Sequence, residues 1–152
     1  MKMCESCNLS TDTCNICQQN TAHLYLMKNT GNNKFKRVTK SDNSEIEKAK
    51  SHIIVEIIEY IPNSVVSKTI IKKLTGNVSV MSFDKGEGLS EKTSPFDTFI
   101  QIIEGKANIV IDKVFSLLLT GQRIIIPAHS SNQIMPNGRF KVISTIIKNG
   151  YE

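Results

Sequence analysis

The sequence predicts an all-β domain, an antiparallel sandwich or barrel, preceded by a polar, cysteine-bearing extension and a linker. Three observations lead there. From His52 onward, short apolar, β-branched segments recur about every ten residues. Turn residues separate them. Before His52 the texture differs: all four cysteines fall in the first 17 residues, and large apolar residues are few.

The elements follow in order. Residues 1–23 form the cysteine-bearing segment, residues 24–51 a linker and residues 52–152 the β domain. The linker is rich in Asn, Lys, Thr and Ser, which suits an irregular arm. Within it, Ser44-Glu45-Ile46-Glu47 matches a capping box, predicting a short helix from about Glu45 to His52. The expected strands are Ile53–Tyr60, Val65–Ile71, Asn77–Phe83, Phe99–Ile103, Ala107–Ile111, Val114–Leu119, Arg123–Ile126, Asn132–Met135 and Lys141–Ile147. Between them lie Pro62-Asn63, Thr75-Gly76, Lys85-Gly86, Glu104-Gly105, Asp112-Lys113, Thr120-Gly121 and Pro136-Asn137-Gly138. In Ala107–Ile111 the alternation places Ala107, Ile109 and Ile111 on one face. Arg123–Ile126 is continuously apolar after its first residue, which predicts a strand covered on both faces. Gly105 and Gly121 are read as closing hairpins at positive φ.

A chain of 152 residues buries a core without needing disulfides. Its formal charge of +5 is thinly spread. The longest basic cluster, Lys34-Phe35-Lys36-Arg37, reads as solvated linker rather than a nucleic-acid footprint. A DNA-associated regulator therefore ranks last among the readings, since no recognition helix accompanies that cluster. No apolar run approaches the ~18 residues that cross a bilayer. The opening MKMCESCNLS has no apolar h-region, so a cytoplasmic, reducing setting is expected.

In such a setting cysteines bind metal more readily than they pair. Cys4-x2-Cys7 and Cys14-x2-Cys17, six residues apart, form two knuckles. Together they offer four thiolates, the ligand set of a closed, structural Zn site. An iron–sulfur cluster would use the same thiolates, and a lone CxxC can cycle as a dithiol. A head this small lacks a core and needs its metal to fold.

The run from Ile54 to Ile147 resembles a small single-domain cupin. Gly86–Glu91, Pro95-Phe96-Asp97 and Ile103-Glu104-Gly105 resemble the first cupin motif and its closing hairpin, and Gly121–Ala128 the start of the second. The resemblance implies a jelly-roll β-barrel, commonly a homodimer, with a pocket at one mouth. Metal-bearing cupins place two His and one Glu in the first motif and one His in the second. Those places fall here on Lys92, Ser94, Thr98 and Asn132. An ammonium, two hydroxyls and an amide are poor donors for a transition ion. No metal is expected in the barrel. The same groups, with Gln101, would line a polar cavity for a small polar or anionic ligand. The expected protein is a non-catalytic binding or interaction protein. The alternative is a metal-dependent dioxygenase or isomerase with atypical ligands among Glu91, Asp97 and His129.

Overall fold

The computed structural model describes residues 40–148, Lys40 through its backbone only. Among the described residues ten strands run in chain order: β1 (Lys40–Asp42), β2 (Val65–Lys73), β3 (Gly76–Phe83), β4 (Leu89–Thr93), β5 (Asp97–Glu104), β6 (Lys106–Ile111), β7 (Val114–Leu119), β8 (Arg123–Ile126), β9 (Ser131–Met135) and β10 (Phe140–Ile147). They form a six-stranded sheet, β1-β2-β3-β10-β5-β8, and a four-stranded sheet, β4-β9-β6-β7. Every pairing is antiparallel except β1 with β2.

Period-two alternation drives the packing. Ile100 and Ile102 on β5 face the same core as Phe140 and Val142 on β10, Phe83 on β3 and Ile126 on β8. Ala107, Ile109, Leu118 and Ile134 meet them from the four-stranded sheet. One core thus lies between two sheets, the sandwiched arrangement that closes a jelly roll. At its centre Phe83 and Phe140, directly opposite in the β3–β10 register, stack with centroids 4.4 Å apart.

The turns differ in kind. Asp112 and Lys113 both take positive φ, 46° and 69°, and close the β6–β7 hairpin as a two-residue turn. Gly105 and Gly121 also have positive φ, 79° and 87°. They do not close hairpins, contrary to expectation: each links a strand of one sheet to a strand of the other. The chain leaves the six-stranded sheet at Gly105 and returns to it after Gly121.

Three further expectations are corrected. No helix forms over residues 45–52. The Ser44 N–H and hydroxyl both donate to Asp42 Oδ1, and the Glu45 carboxylate accepts the Lys72 N–H at 2.7 Å. The capping groups are thus spent on β1 and on the edge of β2. Residues 53–60 form turns rather than a strand. They are a strap over the outer face of the six-stranded sheet. Ile57, Ile58 and Ile61 pack there against Val66, Ile70, Val80 and Ile103, so apolarity marks burial of a coil and not a ladder. Finally, β8 is an edge strand covered on one face only: Ile126 is buried, whereas Ile125 is 63% exposed.

Polar latches hold the strap. Lys141 Nζ donates to the Val55 carbonyl at 2.7 Å, Ser82 Oγ to the Glu59 carbonyl at 2.8 Å, and the Tyr60 hydroxyl to Glu104 at 2.8 Å. At its end the Asn63 N–H donates to Asp84 Oδ2 at 2.7 Å, and Arg139 pairs with Asp84 Oδ1 at 2.6 Å. The Asn63 bond, more than the Arg139 guanidinium, holds the Asp84 carboxyl below its usual range. A carboxyl depressed in the folded state contributes stability above its unfolded pKa. That contribution is lost as pH falls through the folded value. Asp84→Asn is therefore expected to lower the melting temperature at about pH 7 and to flatten its acid dependence between about pH 5 and pH 2. Thermal melts across that range check this; an acid limb as steep as that of the parent protein would refute it.

Candidate functional site

Lys92 reaches the inner wall through a bulge. Along β4, strict alternation would set Lys92 on the face opposite Leu89, three residues earlier. The β4–β9 register instead pairs Leu89 with Ile134 and Lys92 with Asn132, shifting between them. Leu89 packs against the core and Ile134 lies within it. Lys92 therefore joins their face. Asn132, 5% exposed, shares it and donates from Nδ2 to the Lys92 carbonyl at 3.1 Å and to the Ser130 carbonyl at 3.4 Å.

Lys92 is exposed to solvent at this end of the strand, and the protein packed beneath it shifts its ammonium below the ordinary lysine range by desolvation. No hydrogen bond or carboxylate partner offsets this among the described residues.

Thr98 faces inward from the opposite sheet. It alternates with Ile100 and Ile102 and lies across from Ile126 and Ile146. Its hydroxyl makes one long bond, 3.5 Å, to the Phe96 carbonyl. Ser94 belongs to the turn joining β4 to β5. Its hydroxyl donates to the Phe96 carbonyl and accepts the Phe96 N–H, at 3.2 and 3.1 Å. That hydroxyl is spent on local turn geometry. Gln101 does not belong to this wall. It alternates with the core-facing Ile100 and Ile102, so it lies on the outer face, opposite Arg123 and Ile143. The structure thus pairs Lys92 with Asn132 on one sheet and sets Thr98 on the core-facing side of the other.

The atypical ligands of the alternative reading have other work. Asp97 Oδ1 accepts the Ala128 N–H at 2.8 Å, and Glu91 accepts the Ser131 hydroxyl. His129, exposed at φ 66°, donates its backbone N–H to the Ser94 carbonyl at 2.7 Å. All three contacts fasten the β4–β5 region to the β8–β9 turn. Among the described residues no three of His, Cys, Asp and Glu converge as metal ligands. The four motif positions offer an ammonium, two hydroxyls and an amide whose nitrogen is already bonded. Such a set does not fit the imidazole and carboxylate donors that hold a transition ion. Cys4, Cys7, Cys14 and Cys17 lie outside the described residues.

Sequence reasoning missed a second polar cluster, on the outer face. Lys141, 7% exposed, pairs with Glu104 at 3.3 Å and lies 4.7 Å from the Tyr60 ring centre. Arg139 lies 5.4 Å from the same ring. Desolvation, then the bond to Glu104, raises the Tyr60 hydroxyl well above its ordinary pKa. The available signal was a lysine inside the apolar run Phe140-Lys141-Val142-Ile143. The cluster is fully engaged with the strap, which gives it a structural task.

No family model and no curated protein matches the sequence. Solved structures do match. A conserved protein of unknown function from Streptococcus pyogenes is 25% identical, with a TM-score of 0.67, over 72% of this chain and 96% of that one. A cupin superfamily protein from Desulfitobacterium hafniense is 26% identical, with a TM-score of 0.65, over 71% and 99%. An RmlC-like cupin protein from Desulfovibrio desulfuricans is similar in fold alone, at 19% identity and a TM-score of 0.58, over 64% and 95%. The barrel has the cupin fold, and these likenesses support the cupin family. Among the described residues no helix is long and apolar enough to cross a membrane.

Proposed function

We propose that this cupin-fold protein binds a small polar or anionic ligand at the inner wall around Lys92, and that its task is binding rather than catalysis. The observation that carries the reading is the bulge. It turns a lysine with no carboxylate partner toward the core face, opposite the buried Asn132. Its ammonium, exposed to solvent and without a carboxylate partner, is open to an anion arriving at this end of the wall. The Thr98 hydroxyl, held by one long bond, is available to orient the ligand. No metal is assigned to the barrel, because its donor set suits none.

Lactate, inorganic phosphate and glycerol are suitable first probes, followed by amide chemical shifts. Anion-induced shifts should gather at residues 89–94 and 131–134. Lys92→Met should weaken the binding about tenfold to a hundredfold, the worth of one hydrogen bond to a charged group. Equal affinity in the variant, at unchanged stability, would remove Lys92 from the site.

The reading extends to the N-terminal head. Cys4, Cys7, Cys14 and Cys17 hold a structural Zn ion through four thiolates, on the strength of their spacing. Elemental analysis of the intact protein should find about one zinc per chain, reduced in Cys7→Ser. Iron and inorganic sulfide in its place would point to a cluster. A cytoplasmic homodimer completes the proposal. The exposed Ile125 and Ile147 on the outer sheet face support association.

A further inference from the structure

We infer that the β7 edge of the four-stranded sheet is where two copies of this chain join, strand to strand and antiparallel, about a two-fold axis through Ser116. This inference rests on the homodimer proposed above and gives it a contact surface other than the outer-face Ile125 and Ile147.

An open sheet edge is a template for another strand, and proteins blunt the edges they keep apart. Among the described residues the edge strands β1, β4 and β8 are blunted. β1 has three residues and carries Lys40 and Asp42 at its ends. β4 is bulged and carries Glu91 and Lys92. β8 has four residues, opens on Arg123 and stops at Pro127. β7, Val-Phe-Ser-Leu-Leu-Leu, has six residues with no charge, no proline and no register shift. Its outward stripe is apolar. Phe115, Leu117 and Leu119 alternate with the core residue Leu118, and Leu117 is 40% exposed.

The backbone groups of this edge fit a second copy of the same strand. Ile111 and Val114 flank the two-residue β6–β7 turn as a hydrogen-bonded pair, so Val114, Ser116 and Leu118 spend their backbone groups on β6. Phe115, Leu117 and Leu119 turn theirs to the open edge. Leu119 confirms the phase: its N–H donates to Gln122 Oε1 at 2.8 Å, and its carbonyl accepts the Gln122 N–H at 2.9 Å. Gln122 thus caps that end, and Phe115 and Leu117 are left open among the described residues. A two-fold axis through Ser116 sets Phe115 of one copy against Leu117 of the other, so each open N–H meets an open C=O. An axis through Leu117 would set Phe115 against the capped Leu119. The side chains agree with the backbone. Phe115 meets Leu117 on the outer face, Val114 meets Leu118 on the inner face, and Ser116 meets its own copy. Val114, 67% exposed in the single chain, gains cover. Lys92 on β4 stays at the far margin of the joined sheet, so the proposed anion wall remains open.

Sedimentation equilibrium of the intact protein should find twice the 17.0 kDa chain mass. Amide exchange followed by NMR should slow at Phe115 and Leu117 as the dimer forms, and quicken on dilution. Leu117→Lys puts a charge on the edge and should weaken the dimer at least about tenfold, whereas Ile125→Lys should not. In Ser116→Cys the facing Cα atoms form a non-hydrogen-bonded pair about 4.5 Å apart, within disulfide reach. Oxidation should therefore yield a peptide linked to its own copy through residue 116, read by mass spectrometry. A dimer that Ile125→Lys dissolves and Leu117→Lys leaves intact, with the Phe115 and Leu117 amides still exchanging freely, overturns the β7 contact while the homodimer stands. A chain that stays monomeric at every concentration overturns both, and leaves β7 to an extended strand of another protein. The amide readout needs no variant, so a poorly folded Ser116→Cys would not obscure the result.

Discussion

Replacing Phe83 by alanine is expected to destabilise the barrel by about 3–5 kcal/mol, the largest single effect in this fold. Phe83 and Phe140 are both fully buried, and their rings stack at 4.4 Å with an interplanar angle of 11°. The pair belongs to β3 and β10, central neighbours in the six-stranded sheet, and its rings fill the core facing Ile109 and Ile134. Truncation removes the transfer energy of one ring and leaves a void that neighbouring β-branched residues, tied to their ladders, cannot close. Domains of this size are stable by about 5–15 kcal/mol, so the variant should lie close to the unfolding threshold. Urea denaturation followed by far-UV circular dichroism gives the difference. A loss below about 1 kcal/mol would mean that the site collapses around the gap, against the rigid core described here.

Gly105→Ala comes second, at about 2–4 kcal/mol. Two penalties coincide there. The backbone has φ +79°, a region that L side chains rarely adopt, and an added Cβ would lie 2.4 Å from the Arg139 carbonyl oxygen and 3.1 Å from Phe140 Cα. Those contacts are backbone, so no side chain can swing aside. Gly121 supplies the comparison. Its φ is +87°, yet nothing lies within 4 Å of an added Cβ. Gly121→Ala should cost only the conformational part, about 1–2 kcal/mol. Denaturant midpoints of the two variants, measured side by side, separate steric conflict from backbone conformation. Equal losses would show that the approach of β10 to Gly105 relaxes freely.

Much of the fold was legible because β-strands advertise themselves by periodicity. Val114–Leu119 and Arg123–Ile126 begin and end where the apolar runs do, since turn residues bound them on both sides. β4, Leu-Ser-Glu-Lys-Thr, was not among the expected strands: three of its five residues are exposed and it offers almost no apolar signal. Residues 53–60 carried that signal and made no ladder, because apolarity reports burial and the strap is buried by sheet contact alone. The candidate site was partly legible. Motif spacing placed Lys92, Thr98 and Asn132 at the wall. Gln101 was assigned to it without counting alternation from Ile100. The strap latch around Lys141 stayed invisible, since Tyr60, Glu104 and Lys141 are far apart in the chain.

The sequence by itself determined that this chain builds mostly antiparallel strands, with an ammonium, two hydroxyls and an amide at Lys92, Ser94, Thr98 and Asn132. Local period and residue chemistry suffice for that. Which face each group meets was decided only by tertiary structure. A one-residue shift between β4 and β9 reverses the side of every later β4 residue, and only the pairing across strands sets that register.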